Sequence, residues 1–507
     1  MPVVPTTFVG FAPDMDPTTP GVFAESQNIY PTPRGFRVMP SLEKIYDAPP
    51  GGQQSYGVFV GTYLDNSTKL INGTKTKLYQ GQAGHWTSVG GSPYSTDDTD
   101  LWRFAMFGDD MIAVNGSNQP QIMPRTGSTF VDLAGTPPVA KYVACVNNFV
   151  FLLNCSGTVH ATDTDPVTWW CSGIGNDTEW APDIATQAAT ARLLDTEGEI
   201  TGVRPLGRNL VVYKKKSMFL FEYTGPPTIW SVRLLSAQVG AISNEGIIDL
   251  GDRHVFLGYD DFYVFDGAGP PRPLQSPLRR FMFELGDLNR LYAHAVKGRW
   301  DRALAVLVWH YPSKDILTPT VPQQCDKWVM WSPGSNHWTH GQLLMTQPVY
   351  PEAVASAGLT YGGVPTTYTS YLDVNVNYNS YIFAGSTDVL QGVVLPDGGL
   401  YLYSGLPDGS AFIKTGDQGD GQNYYFVRRL RPKFAAFPPA VGLTVEGYGR
   451  EILGAGDAQV VTGFLDQVSG WVNLIQNARY HNWKFLMMGG DSELMGFDAD
   501  QDQFGYR

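Results

Sequence analysis

A strand–turn–strand unit recurs along the middle of this sequence and limits the fold more than any other feature. It reads KLINGTKTKLYQ from Lys69, DMIAVNGSNQPQIM from Asp110, FVFLLNCSGTVHA from Phe149 and LVVYKKKSMFLFE from Leu210. It returns as HVFLGYDDFYVFDG from His254 and LAVLVWHYP from Leu304, the last with a delayed partner, KWVMWS, from Lys327. The starts lie 41, 39, 61, 44 and 50 residues apart. A hairpin cannot bury two apolar faces alone, so units at this period stack on their neighbours, most simply as the four-stranded blades of a propeller. Five aromatic-polar tags follow the units: HWTSVGG from His85, TFVDLAG from Thr129, TEWAP from Thr178, TIWSVRL from Thr228 and HWTHGQL from His337. They are expected as outermost strands, with the Trp or Phe between blades. Six units predict an all-β, six-bladed β-propeller; the competing arrangement is unrelated hairpins stacked as sandwiches.

The chain ends read differently. Residues 1–55 are rich in Pro and Gly and are assigned to a platform. The propeller is assigned to 56–345, and 346–414 to a final blade, an insertion or a linker. Residues 415–507 carry long alternating runs, NYYFVRRLRPKF, GLTVEGYG, GWVNLIQ and NWKFLMMG, which predict a β-sandwich-like platform built with the N-terminal segment. Helix signals are confined to Ile184–Leu194 and Pro277–Leu285.

Charge narrows the function. The net charge is −13 and charged residues make up only 16% of the chain, while aromatics reach 13%. Tight nucleic-acid binding needs cations against phosphates, and the basic groups are few: Lys214–Lys216, Arg279 with Arg280, and Arg428 and Arg429 with Arg431. The start MPVVPTTFVGFAPDMD lacks a basic leader and an apolar core, so no signal peptide is expected. No apolar run reaches the length of a membrane span. Cys145, Cys155, Cys171 and Cys325 lack metal or redox spacing and are expected as buried free thiols.

No catalytic, cofactor-binding or metal-binding residue is assigned from the sequence. Ser332–Trp338 keeps the Ser and Trp of a sialidase-type blade turn but has Gly where Asp is needed. It reads as a plain turn. Asp498, Asp500 and Asp502 have calcium-loop spacing, yet Gln503 replaces the required Gly, so an acidic turn is expected. Asp97, Asp98 and Asp100 read as a solvated loop. His337 and His340 are expected on opposite strand faces, with no accompanying Glu motif. GGVPTTYT at Gly362 lacks the Lys of a phosphate loop. Lys214–Lys216 are expected as exposed, solubilising turn residues.

Three stretches together resemble one family. They are GVFAESQNIYPTPRGFRVMPSLEKI from Gly21, AQVGAISNEGIIDLGDRHVFLGYDDFYVFDG from Ala237, and SGWVNLIQNARYHNWKFLMMGGDSELMGFDADQDQFGYR from Ser469. They are similar to the tail nozzle proteins of short-tailed bacteriophages, also described as tail tubular protein B or packaged-DNA stabilisation proteins. The resemblance implies a non-enzymatic virion protein, assembled in the host cytoplasm as a hexameric ring. It implies an adaptor or tail-tube ring and tail fibres or a tip protein as partners, with transient, non-specific passage of duplex DNA. It implies no cofactor. Thr346–Asn379 is a candidate for gating or fibre docking. The alternative is a propeller that binds glycans or hydrolyses glycosides, which would need two facing carboxylates.

Overall fold

The computed structural model describes residues 3–82, 84–91, 93–156, 164–302, 304–349, 392–405, 409–436, 442–454, 459–487 and 492–504. Seven four-stranded antiparallel sheets form seven blades. Blades I to VI use consecutive strands over Ser55–Ser88, Arg103–Asp132, Val139–Arg192, Ile200–Ser236, Ile247–Pro273 and Lys297–Met345. Blade VII takes three strands, Gln347–Val349, Gly392–Val394 and Leu400–Gly405, from the far side of the chain. Its outermost strand is Ser41–Tyr46, with Tyr46 opposite Leu400 and Leu42 opposite Tyr403. Each innermost strand packs on the next, and Gln347–Val349 packs on Ser55–Thr62, closing the circle.

The propeller expectation holds, and the ring carries seven blades rather than six. The six local hairpins are all blades. The seventh is assembled from segments remote from one another in the chain, so no local unit announces it. The part of 346–414 on 347–349, 392–394 and 400–405 is thus a blade, whereas most of Thr346–Asn379 lies outside the described residues. Ser41–Tyr46, within the 1–55 segment, belongs to the propeller.

The second strand of a blade is mostly apolar where both of its faces are covered. Phe149–Cys155 and Val306–Tyr311 are buried at every residue. A strand with one wet face would alternate. Four tags do form outermost strands: His85–Ser88, Val131–Asp132, Ile229–Ser236 and His337–Met345. TEWAP does not. Blade III ends with Ala189–Arg192, and Trp180 instead fills the space between blades II and III beside Val114, Leu133 and Leu152. The strand Ala189–Arg192 also overturns the helix expected at Ile184–Leu194. Within Pro277–Leu285 only one π-helical turn forms, Arg280–Glu284, its first amides held by Asp14.

The platform is a two-sheet sandwich. One sheet runs Val472–Ala478, Tyr424–Ala436, Glu493–Phe504, Phe36–Val38 and Ile29–Pro31, with Val3–Thr7 also pairing to Glu493–Phe504. The other runs Gly10–Phe11, Val22–Gln27, Ala411–Thr415, Tyr480–Met487, Leu443–Arg450 and Gln459–Phe464. Leu443–Arg450 and Val472–Ala478 keep strict period-two burial, as a sandwich face requires.

The two bodies share one core. Phe23, Phe36, Phe485 and Phe497 of the platform join Phe262, Trp309 and Trp338 of blades V and VI in a continuous buried cluster. Side chains also cap the outer edge of blade VI. Ser26 Oγ donates to the His340 carbonyl and accepts from its amide, and Gln27 does the same for Gln342. An unpaired strand edge is an aggregation template, and here the platform occupies it. His337 and His340, expected on opposite faces, both meet the platform: His337 stacks on Phe36 and His340 on Phe11.

Candidate functional site at the ring axis

The polar group that most alters the ring is one the sequence reading passes over. Arg103 opens the innermost strand of blade II, and Glu245 lies in the connection entering blade V. Their side chains meet at the axis with Arg103 Nε 2.8 Å from Glu245 Oε1. Blades II and V stand on opposite sides of a seven-bladed ring, so this ion pair spans the central opening. Arg103 also donates to the Lys141 carbonyl and lies over the Tyr142 ring of blade III. Glu245 is steadied by Asn244 Nδ2, its backbone carbonyl accepts from the Gly298 amide of blade VI, and Arg204 of blade IV binds Asn244. Five blades thus converge on one pair.

The electrostatics are one-sided. Burial opposes charge on Glu245, but the Arg103 guanidinium outweighs it and holds the carboxyl down at about 2. For Arg103, burial opposes the charge and Glu245 more than restores it. A largely buried pair of this geometry, its side chains 11% and 19% exposed, fixes position more surely than it adds stability. On the same side, Gln323 Nε2 of blade VI reaches the Asp98 carbonyl before blade II at 3.4 Å. A duplex has no path along this axis. One signal in the sequence could have pointed here: Arg103 is the sole charge within LWRFAMF, and a cation inside an apolar strand needs a partner.

The residues singled out from the sequence are placed as follows. Lys214 is buried, its Nζ donating to the Leu193 and Thr196 carbonyls at 2.7 Å, so it builds the turn rather than solubilising it. Asp498, Asp500 and Asp502 do not form a turn. They lie on the strand Glu493–Phe504 and pair with Lys433, Arg429 and Arg428 of Tyr424–Ala436. This ladder neutralises most of the basic run at 428–431. Asp97 caps its own turn, Asp98 pairs with Lys75, and Asp100 pairs with Lys141. The Ser332–Trp338 segment is a hairpin turn closed by Asn336 bonding to Ser332 and Trp331. The four cysteines are free thiols, and burial pushes Cys145 and Cys171 up to about 12 and Cys325 to about 11. Such thiols are poor nucleophiles. Gly362 lies outside the described residues.

Two clefts remain. One of about 460 Å³ is an open groove on blade VI, where Lys327 is held by Asp287 and Asp315. The other, about 270 Å³, lies on the platform between Lys414, Asp417 and Arg450, the last two paired with each other. Neither presents two facing, unpaired carboxylates among the described residues. Among these residues no group of three metal-ligating side chains gathers, and no helix is long and apolar enough to cross a membrane.

The sequence matches no protein-family model, and no curated protein matches it. Its backbone is similar to solved β-propellers. The N-terminal domain of Nup159 shares 11% identity over 78% of this chain and 98% of that one, with a TM-score of 0.39. BamB from Moraxella catarrhalis shares 11% over 72% and 97%, also at 0.39, and YCF48 from Cyanidioschyzon merolae 9% over 72% and 98%, at 0.37. At these identities and TM-scores the likeness carries no argument about this chain, whose propeller is read from its own seven sheets.

Proposed function

We propose that this chain is a structural virion protein, without catalytic activity, that assembles as the hexameric nozzle of a short phage tail. The observation that carries the reading is where its three family-like stretches lie. The first supplies Phe23, Ile29 and Phe36, the second Ile248, Val255 and Phe262, and the third Trp483, Phe485 and Phe497. They come from the beginning, the middle and the end of the chain, yet all of these side chains enter the single cluster that welds platform to propeller. What resembles the family is the joint that fixes the angle between the two bodies, which a ring-forming subunit must hold constant.

Under this reading the platform docks on the adaptor or tail-tube ring, and the propeller faces fibres or a tip protein. DNA would pass between copies, not along the propeller axis that Arg103 and Glu245 bridge. A net charge of −13 suits passage without retention. The platform's two edge strands Gln459–Phe464 and Val472–Ala478, one from each sheet, and the turn between them expose Val460, Phe464 at 74%, Val468 at 96% and Ile475, which supports protein contact there. The test is native mass measurement and negative-stain microscopy of the chain mixed with the adaptor ring of its own phage. Six copies on the ring are expected. A chain that ignores the adaptor and binds or cleaves a glycan overturns the reading in favour of a glycan-directed propeller.

A further inference from the structure

One face of blades IV and V carries opposite charges side by side on rigid turns. The hairpin turn of blade IV, closed by Lys214 N to the Ser217 carbonyl, projects Lys215 and Lys216. The neighbouring turn of blade V, closed by Gly258 N to the Asp261 carbonyl, presents Tyr259. Lys215, Lys216 and Arg290 stand 5.0, 5.7 and 4.7 Å from the centre of the Tyr259 ring. None of the three forms an ion pair among the described residues. Asp260 beside them accepts from the Tyr263 hydroxyl at 2.9 Å, and Asp261 is turned in to the Phe262 amide. Three like charges on one ring repel, and the ring offsets only part of that cost. An external anion would relieve the rest.

The anionic counterpart is next door. Asp195, Glu197 and Glu199 are exposed on the connection entering blade IV. Buried Lys214 clamps this connection to the basic turn through the Leu193 and Thr196 carbonyls, and the Thr196 and Ser217 hydroxyls bond at 2.7 Å. Gly240 seals the arrangement, since a Cβ there would lie 1.9 Å from the Lys214 carbonyl oxygen. Each patch has an apolar flank: Leu194, 66% exposed, beside the acids, and Leu291, 83% exposed, beside Arg290.

We propose that this face pairs with the same face of a second copy about a two-fold axis, the Lys215–Lys216–Arg290 patch of each copy resting on the Asp195–Glu197–Glu199 patch of the other. Adjacent, opposite patches are self-complementary under two-fold rotation, which is the requirement of an isologous contact. A nucleic acid fits less well, because the cations already occupy the Tyr259 ring that would stack a base, and three cations neutralise few phosphates. The contact does not depend on the nozzle reading: a ring needs head-to-tail contacts, so either can fail alone.

The experiment is sedimentation equilibrium of the full chain at 10 to 100 µM, with its melting temperature recorded for each variant. The wild type is expected to dimerise at 50 mM NaCl and to weaken at least tenfold at 500 mM. K215E/K216E and D195K/E197K should each be monomeric, and an equimolar mixture of the two should dimerise again, because every facing patch then has the opposite sign. A monomeric wild type, salt-insensitive association, association unchanged in either variant, or a mixture that stays monomeric overturns the proposal. If the wild type is monomeric and binds labelled duplex DNA that K215E/K216E does not, the patch is a phosphate site instead.

Discussion

The interface between blades III and IV and the interface between blades VI and VII are built from opposite materials. Between III and IV, Phe149, Phe151, Trp169, Phe221 and Trp230 form a set of edge-on aromatic contacts, Phe151 lying 4.9 Å from Trp230 between ring centres. Between VI and VII, the inner strand Lys297–Asp301 buries Lys297, Arg299 and Asp301 on one face, and His310 lies opposite Lys297 on the same face. Lys297 is satisfied by the Ala295 and Gln323 carbonyls, and Arg299 reaches the Gly392 carbonyl and the Tyr403 ring of blade VII. The ring nitrogens of His310 find no hydrogen-bond partner among the described residues. The lesson concerns ring closure. Blades I to VI stack in chain order and can use apolar surface throughout. Blade VII must recruit Ser41–Tyr46 from the other end of the chain, and directional polar contacts at its seam specify register where apolar contacts alone would tolerate slippage.

The largest effect should come from the apolar side of this comparison. Phe151→Ala removes a fully buried ring from the III–IV cluster and is expected to cost about 3–5 kcal/mol, read from the guanidinium midpoint at unchanged slope. A loss below about 1 kcal/mol would mean that this interface collapses to fill the space and is not the rigid one.

Glu245→Leu attacks the axial bridge. It leaves Arg103 charged and unpaired, so a loss toward the lower end of about 3–5 kcal/mol is expected, because both side chains keep slight water contact. The double variant Arg103→Met with Glu245→Leu should recover most of it. If the double variant stays as unstable as the single, the bridge contributes closure energy that apolar packing cannot supply.

Acid should act on the polar seam through His310, and also at His254 between blades IV and V and at His340 where blade VI meets the platform. Burial pushes His310 well below its ordinary value and takes His254 and His340 down to about 4. These imidazoles bind protons more weakly folded than unfolded. Stability from their neutral forms is present above about 6.5 and lost as pH falls from there toward 4. His310→Phe removes the unpartnered nitrogens and the titration together. It should raise stability by about 1 kcal/mol at pH 7 and flatten the decline below pH 6.5. A variant less stable at pH 7 with an unchanged acid limb would show that His310 has a partner that matters.

The same contrast explains what the sequence made legible. The hairpin period exposes blades I to VI, since each is local and its second strand is mostly apolar. Alternation exposes the sandwich in GLTVEGYG and GWVNLIQ. Blade VII is hidden, because its period is interrupted between Val349 and Gly392 and its last strand lies at Ser41–Tyr46. The carboxylates Asp498, Asp500 and Asp502 look like a turn until Arg428, Arg429 and Lys433, from a strand much earlier in the chain, come alongside. Arg103 and Glu245 belong to different blades and meet only once the ring closes. What pattern cannot show in each case is a pairing made by closure.

The smallest effect sets the scale for the rest. Arg272 and Asp266 form an ion pair at the outer turn of blade V with Arg272 Nη2 2.6 Å from Asp266 Oδ2, closer than the atoms of the axial bridge, yet with 67% and 37% of the side chains exposed. Water screens both charges and holding the long arginine in place costs entropy, so Arg272→Ala should change stability by no more than about 1 kcal/mol, and less at 0.5 M salt. Distance alone would rank this pair above Arg103–Glu245; burial ranks it far below. Guanidinium is itself a salt, so the comparison belongs in urea, with both variants measured at low and high ionic strength. An Arg272→Ala loss equal to that of Glu245→Leu would show that the bridge across the ring works no differently from a surface pair, and the axis would then be closed by the surrounding blades instead.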